Sequence, residues 1–176
     1  GLPWPEPNNM GKVDVGIATS GSNCTALVGR LPWSTLGLPD LRDGSGERLW
    51  YALSDTFHAN GSVPLNSDTP GQLQVTGITP DTNVVAIIFA PGAAIVAQNR
   101  TAANATTAAN YLEGINATAT TNFVTANASS TFNDRLITIK PAELCRLVEK
   151  RVGPELRTAG TYLAKYLSDW GRYPFA

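Results

Sequence analysis

The sequence predicts an α+β domain: an antiparallel-rich β-sheet with long loops, packed against a C-terminal amphipathic helix. Three stretches carry that expectation. Residues 83–90 contain Val84, Val85, Ile87, Ile88 and Phe89, a strand-sized apolar run suited to burial on both faces of a sheet. From Leu144 to Trp170 apolar residues return every three or four positions, the period of a helix with one covered stripe. Between them, residues 98–130 form an Asn/Thr/Ala-rich tract that reads as a surface loop region.

Taken in order, residues 1–46 are rich in Gly, Pro, Asn and Ser and read as extended, turn-laden structure. Leu31-Pro32-Trp33 and Leu36-Gly37-Leu38-Pro39 read as a loop pinned by its large side chains. The turn residues Asp43-Gly44-Ser45-Gly46 precede a strand from Arg48 to Ser54, with Leu49, Tyr51 and Leu53 on one face and Trp50 on the other. Shorter strands follow at Gln72–Gly77 and Arg135–Lys140, flanking the central strand Asn83–Ala90. Within the 98–130 tract, Tyr111-Leu112 reads as an anchor to the core. Residues 141–170 form the C-terminal helix, opened by Pro141 in the first turn. Its stripe is Leu144, Val148, Val152, Leu156, Ala159, Leu163, Tyr166 and Trp170, expected to cover the sheet. Gly153-Pro154 interrupts it, so a kink near Pro154 or two successive helices are expected.

A length of 176 residues fits a single globular domain, 1–176. Charged residues are 15% of the chain and the net charge is -1, which argues against a nucleic-acid partner or an anionic membrane surface. No apolar run reaches the roughly 18 residues of a membrane span. The opening Gly1-Leu2-Pro3-Trp4-Pro5 carries no signal-peptide pattern and reads as the start of a mature or trimmed chain. The two cysteines, Cys24 and Cys145, leave two readings open: one disulfide in an oxidising compartment, or two buried thiols.

Chemistry-bearing patterns are sparse. The single histidine, His58, has Ser54 and Asp55 close in sequence, but no Gly-x-Ser-x-Gly elbow accompanies it. It reads as a polar residue at a strand end. Two cysteines and one histidine do not make a zinc site. Asp40, Asp43 and Glu47 offer oxygens but lack the ligand alternation of a calcium loop, and read as a solvated turn. No phosphate-binding glycine pattern occurs. The expectation is therefore a non-enzyme with no catalytic residues, no cofactor and no metal. Asn-x-Ser/Thr sequons fall at Asn23, Asn60, Asn99, Asn104, Asn116 and Asn127; in a eukaryotic secreted protein they would be candidate glycan sites, and a chain so rich in Asn, Ser and Thr also produces them by chance, the reading favoured here.

Several separated stretches resemble bacterial prepilin-like proteins of the type IV pilin and type II secretion pseudopilin group. Leu2-Pro3-Trp4-Pro5-Glu6-Pro7 is similar to the group's Leu-Pro-Cys-Pro-Asp/Glu motif, and Gly29-Arg30-Leu31-Pro32-Trp33-Ser34-Thr35-Leu36-Gly37-Leu38-Pro39 to its most recognisable one. Gly46-Glu47-Arg48-Leu49-Trp50-Tyr51, Phe89-Ala90-Pro91-Gly92-Ala93 with Gln98-Asn99-Arg100, Asn110-Tyr111-Leu112-Glu113-Gly114 and Val148-Glu149-Lys150-Arg151-Val152 extend the likeness over most of the chain. Two features depart from it. The group's early Cys is Trp4 here, so a pairing of Cys24 with that position would leave Cys145 as its partner. Gly153-Pro154 also interrupts a helix that the group runs unbroken.

The resemblance implies the soluble, periplasmic or cell-surface part of a structural protein of a type IV pilus or type II secretion system. Its membrane helix, N-terminal and absent from this chain, would anchor it in the inner membrane before assembly. Its partners would be other pilin-like subunits or assembly proteins, met through protein–protein surface contacts. Tyr162-Leu163-Ala164-Lys165-Tyr166 with Gly171-Arg172-Tyr173-Pro174 is also similar to the junction after a pseudopilin's own N-terminal helix, so that a second unit would follow. The rival reading is a secreted or cell-surface binding module for a carbohydrate or protein ligand.

Overall fold

The computed structural model describes residues 1–6, 16–18, 27–58, 65–66, 68–118 and 120–171. The chain divides into two compact units, Gly1–Pro141 and Ala142–Ala176. The first holds seven strands among its described residues: β1 (Val28–Arg30), β2 (Trp50–Leu53), β3 (Leu73–Gly77), β4 (Asp81–Val84), β5 (Ala86–Ala90), β6 (Asn122–Thr125) and β7 (Arg135–Ile139). Helix α1 runs from Pro141 to Trp170. The α+β class and the antiparallel-rich pairing agree with the sequence reading.

Two small sheets form the first unit. One has the order β1-β2-β5-β7 and is antiparallel throughout. The other has the order β4-β3-β6, with β3 antiparallel to β4 and parallel to β6. The apolar run expected as one central strand is thus two strands. The first half pairs with β3, and the second with β2 and β7. Asn83, with φ +58, sits in the left-handed region that Asn tolerates. Its side-chain Oδ1 accepts the Gly71 N–H at 2.6 Å. A Cβ on Gly71 would lie 2.3 Å from the Val84 carbonyl, so only glycine fits beneath this bend.

Register then sorts the side chains. Trp50 opposes Phe89 and Ala52 opposes Ile87, which sends these four to one face. Val28 joins them from the first sheet; Leu73, Val75, Val84 and Phe123 come from the second, and Tyr111 and Leu112 close the cluster. The Phe89 and Phe123 rings meet at 5.3 Å and tilt by 55°, a favoured aromatic geometry. On the other face Tyr51 and Leu53 are also buried, so β2 is covered on both sides.

The 98–130 tract is largely irregular and at the surface, with 3-10 turns at Ala102–Asn104, Ala108–Asn110 and Gly114–Ala117 and one short strand, β6, which the sequence reading did not include. Asn122-Phe123-Val124-Thr125 has β-favouring residues, but its Asn- and Thr-rich surroundings mask them. The parallel pairing with β3 places Phe123 in the core with no exposed surface. The anchor at Tyr111-Leu112 is buried as expected.

Helix α1 belongs to the second unit and is described by itself. It is one helix through Gly153-Pro154, not two. Pro154 removes the bond to the Lys150 carbonyl, but Lys150 is exposed, so water can take that acceptor. Within this unit nothing of the helix itself covers its apolar stripe: Val148 is 53% exposed, Val152 40%, Leu156 66% and Leu163 44%. Among the described residues no helix is long and apolar enough to cross a membrane.

Burial separates two classes of substitution. Phe123→Ala opens a cavity in the shared core and should cost about 3–5 kcal/mol in urea unfolding. Val148→Asp and Leu156→Asp place a charge on already exposed positions and should each change stability by less than about 0.5 kcal/mol. A large loss in either Asp variant would show that the stripe is covered.

Candidate functional site: an arginine-lined pocket and a buried carboxyl pair

Side chains from distant stretches converge on a pocket of about 290 Å³ whose lining includes Arg30, Arg42, Glu47, Arg48, Arg100 and Tyr111. The loop before β2 builds one wall. Asp43 Oδ1 accepts the N–H groups of Ser45 and Glu47 at 2.8 and 2.9 Å, and Oδ2 accepts that of Gly92 at 2.7 Å. This side-chain turn is what Asp does best in a tight loop. Asp40 pairs with Arg42 at 2.8 Å and with Arg48 at 3.3 Å. Glu47 pairs with Arg100 at 3.3 Å. Asp40, Asp43 and Glu47 are therefore each held by donors of this chain, and the expected solvated turn is a hydrogen-bonded hub. No group of three or more His, Cys, Asp or Glu suited to a metal exists among the described residues.

Arg100 is nearly enclosed, with 6% of its side chain exposed. It donates to the carbonyls of Gly92 at 2.6 Å and Asn110 at 2.8 Å, and to Gln98 Oε1 at 2.5 Å. Its guanidinium lies 5.0 Å from the centre of the Tyr111 ring. Arg30 reaches the same ring at 5.1 Å and Trp50 at 5.9 Å. All three contacts are cation–π pairs, in which the ring's electron-rich face offsets part of the cost of burying charge.

Gln98 carries the network inward. Its Nε2 donates to Glu113 Oε1 at 2.6 Å. Glu113 Oε2 accepts the N–H groups of Asn133 and Asp134, both at 2.9 Å. Asp134 Oδ2 in turn accepts the Glu113 N–H at 2.9 Å and Asn116 Nδ2 at 3.0 Å. Asn116 also bonds both the N–H and the carbonyl of Val124, tying β6 to the pair. Burial, reinforced by the facing Glu113 carboxyl and only partly opposed by the Glu113 amide and Asn116, raises the Asp134 pKa to about 8. Burial beside a second carboxyl thus favours the protonated form of Asp134.

The residues singled out in the sequence are dispersed. His58 stacks on Trp4 at 4.5 Å, with Nδ1 2.5 Å from the Asp55 carbonyl and 3.6 Å from its carboxylate. Ser54 is fully buried and accepts the Gln72 N–H at 3.0 Å, so Ser54 and His58 serve separate local structures. Cys145 lies on α1 as a free, partly buried thiol, and Cys24 lies outside the described residues. Of the sequons, Asn23 and Asn60 lie outside the described residues, Asn99 and Asn127 are exposed, Asn104 is partly buried, and Asn116 is fully buried.

Composition gave no sign of the pocket, because its arginines are scattered along the chain. The fold gathers Arg30, Glu47, Arg48, Gln98, Arg100, Tyr111 and Glu113 from separate stretches into one network. No family model matches the chain, and neither the curated proteins nor the solved structures contain a match.

The sign of the pH effect follows from the raised Asp134 pKa. An unfolded Asp titrates near 3.9, so the folded state binds the extra proton between about pH 4 and 8. Its stabilising contribution is complete below that window, falls as pH rises through it, and is gone above about pH 8. Asp134→Asn keeps an acceptor for Glu113 and Asn116 and cannot ionise. The melting-temperature advantage of the parent over Asp134→Asn should therefore shrink from pH 5 to pH 9. A constant difference across that range would refute the protonated carboxyl.

Proposed function

We propose that the chain is a non-catalytic structural subunit, or minor component, of a type IV pilus or type II secretion-like filament. It acts through surface contacts with other pilin-like subunits, in the periplasm or at the cell surface, after inner-membrane anchoring by an N-terminal helix. The observation that carries this reading is α1, a 30-residue helix whose Val148, Val152, Leu156, Tyr162, Leu163 and Trp170 remain exposed. Isolated apolar side chains are common on surfaces, but a continuous row at helical spacing is a docking surface for a partner. The stretches that resemble pilin-like motifs and the α+β architecture support it further.

A secreted or cell-surface binding module is the second reading, favoured by the arginine-lined pocket. Assembly separates the two. In cells carrying the gene, Leu156→Asp combined with Leu163→Asp should abolish cross-linking to pilin-like subunits while leaving the unfolding free energy within about 1 kcal/mol of the parent. His58→Ala should leave cross-linking unchanged. Recovery of the parent protein only as a free monomer, never cross-linked to such a subunit, would reject the filament reading.

A further inference from the structure

Glu113 and Asp134 join two parts of the first unit that the apolar core does not tie together: the turn at Gly114–Ala117 and the start of β7. We propose that this carboxyl pair is a one-proton latch. It holds the turn and strand β6 in place while the pair keeps a proton, and releases them when that proton leaves. The inference concerns the fold itself and is independent of filament assembly.

The geometry carries the argument. The two residues bond reciprocally: the Glu113 N–H donates to Asp134 Oδ2 and the Asp134 N–H to Glu113 Oε2, both at 2.9 Å. Glu113 is 6% exposed and Asp134 4%. Glu113 has further donors in the Asn133 N–H at 2.9 Å and Gln98 Nε2 at 2.6 Å. Asp134 is served unevenly. Its two donors, the Glu113 N–H and Asn116 Nδ2, converge on Oδ2, and Oδ1 is buried with no hydrogen-bond partner. An ionised carboxylate would leave a bare anionic oxygen there, whereas a carboxylic acid carries its proton on that oxygen. The side chains that bond the pair from other elements are neutral: Gln98 from the loop after β5 and Asn116 from the turn. Two cations stand close in the chain or the network. Arg135 follows Asp134 but is exposed, and Arg100 donates to Gln98 Oε1 at 2.5 Å and pairs with Glu47. Among the described residues no cation pairs with either carboxyl. Burial and the facing Glu113 carboxyl push the Asp134 pKa up, the direction that this geometry requires. Loss of the proton sets two anions side by side, and their repulsion parts the turn from the start of β7. Asn116 holds both the N–H and the carbonyl of Val124, so β6 loosens with the turn.

The test is hydrogen exchange of the whole chain from about pH 6 to about pH 9, with each amide expressed as protection relative to its unstructured rate. Closure is linked to one proton, so protection at residues 122–125 and at Glu113 and Asp134 should fall about tenfold per pH unit once that proton has left. Amides of β2 and β5 should hold their protection. Asp134→Asn cannot ionise and should remove the pH dependence, while Asp81→Asn, a carboxyl outside the pair, should keep it. Carbon-13 NMR of the folded parent needs no variant: one carboxyl of the pair should change charge at the midpoint of the protection loss. Constant protection at residues 122–125, an equal loss in β2 and β5, the same loss in folded Asp134→Asn, or no carboxyl step in that range would each overturn the latch. Failure of the filament assay would leave all of these readings intact.

Discussion

One apolar run has to serve two sheets, and the rest of the first unit is arranged around that constraint. The chain leaves the second sheet at Val84 and enters the first at Ala86. Val85 still donates its N–H to Ile139 and accepts that of Ser54, both at 2.8 Å, so the corner leaves no backbone group of this residue unpaired. Because the bend turns Val84 and Ile87 toward a common interior, the two sheets share one core. A side chain on Gly71 would block that bend, and the Asn83 side chain holds it in place. Asp81, accepting from Thr138 at 2.8 Å and paired with Lys140, adds a second tie between the sheets. That pairing holds the Asp81 carboxyl below its ordinary range.

The core alone does not position the Asn/Thr/Ala tract, which has few large apolar residues to contribute. Buried polar groups supply the specificity instead. Glu113 and Asp134 exchange backbone N–H bonds with each other's carboxyls, and Asn116 joins them to β6. Such a network is costly when half satisfied, since each unpaired buried group loses its hydration. The bonds made here favour one arrangement of the loop, although Asp134 Oδ1 and Asn133 Oδ1 are buried without a hydrogen-bond partner. The same chain of bonds runs outward through Gln98 to Arg100, so the shape of the pocket is set by the carboxyl pair beneath it.

Legibility in the sequence followed physical locality. Strands with β-branched or aromatic periodicity, such as Trp50–Leu53 and Arg135–Ile139, were visible because their signal lies within the segment. The anchor at Tyr111-Leu112 was visible because two large apolar residues stand out in a polar tract. Strand β6 was not, since its pairing with β3 spans 48 residues of sequence and only one of its side chains is fully buried. The division of residues 83–90 was hidden for a similar reason: a continuous apolar run has no period to mark a change of partner. The candidate site was the least legible part. Single arginines at positions 30, 42, 48 and 100 carry no local pattern, and only the three-dimensional fold makes them neighbours.

Helix α1 poses a different energetic problem from the sheets. An isolated helix is marginal in water, because its nucleation cost is recovered only slowly with length. Here Gly153 and Gly160 lower the intrinsic preference by roughly 1 kcal/mol each relative to Ala, and Pro154 removes a hydrogen bond. The compensations within the helix are small. Lys165 pairs with Asp169 one turn on, and Tyr166 stacks on Trp170, contacts worth only tenths of a kcal/mol to about 1 kcal/mol on an exposed surface. The largest reserve of stabilising energy is the apolar row itself, at about 25 cal/mol per Å² removed from water. Folding of this segment and burial of its stripe are therefore coupled. Any surface that covered Val148, Leu156 and Leu163 would stabilise the helix by the act of covering it.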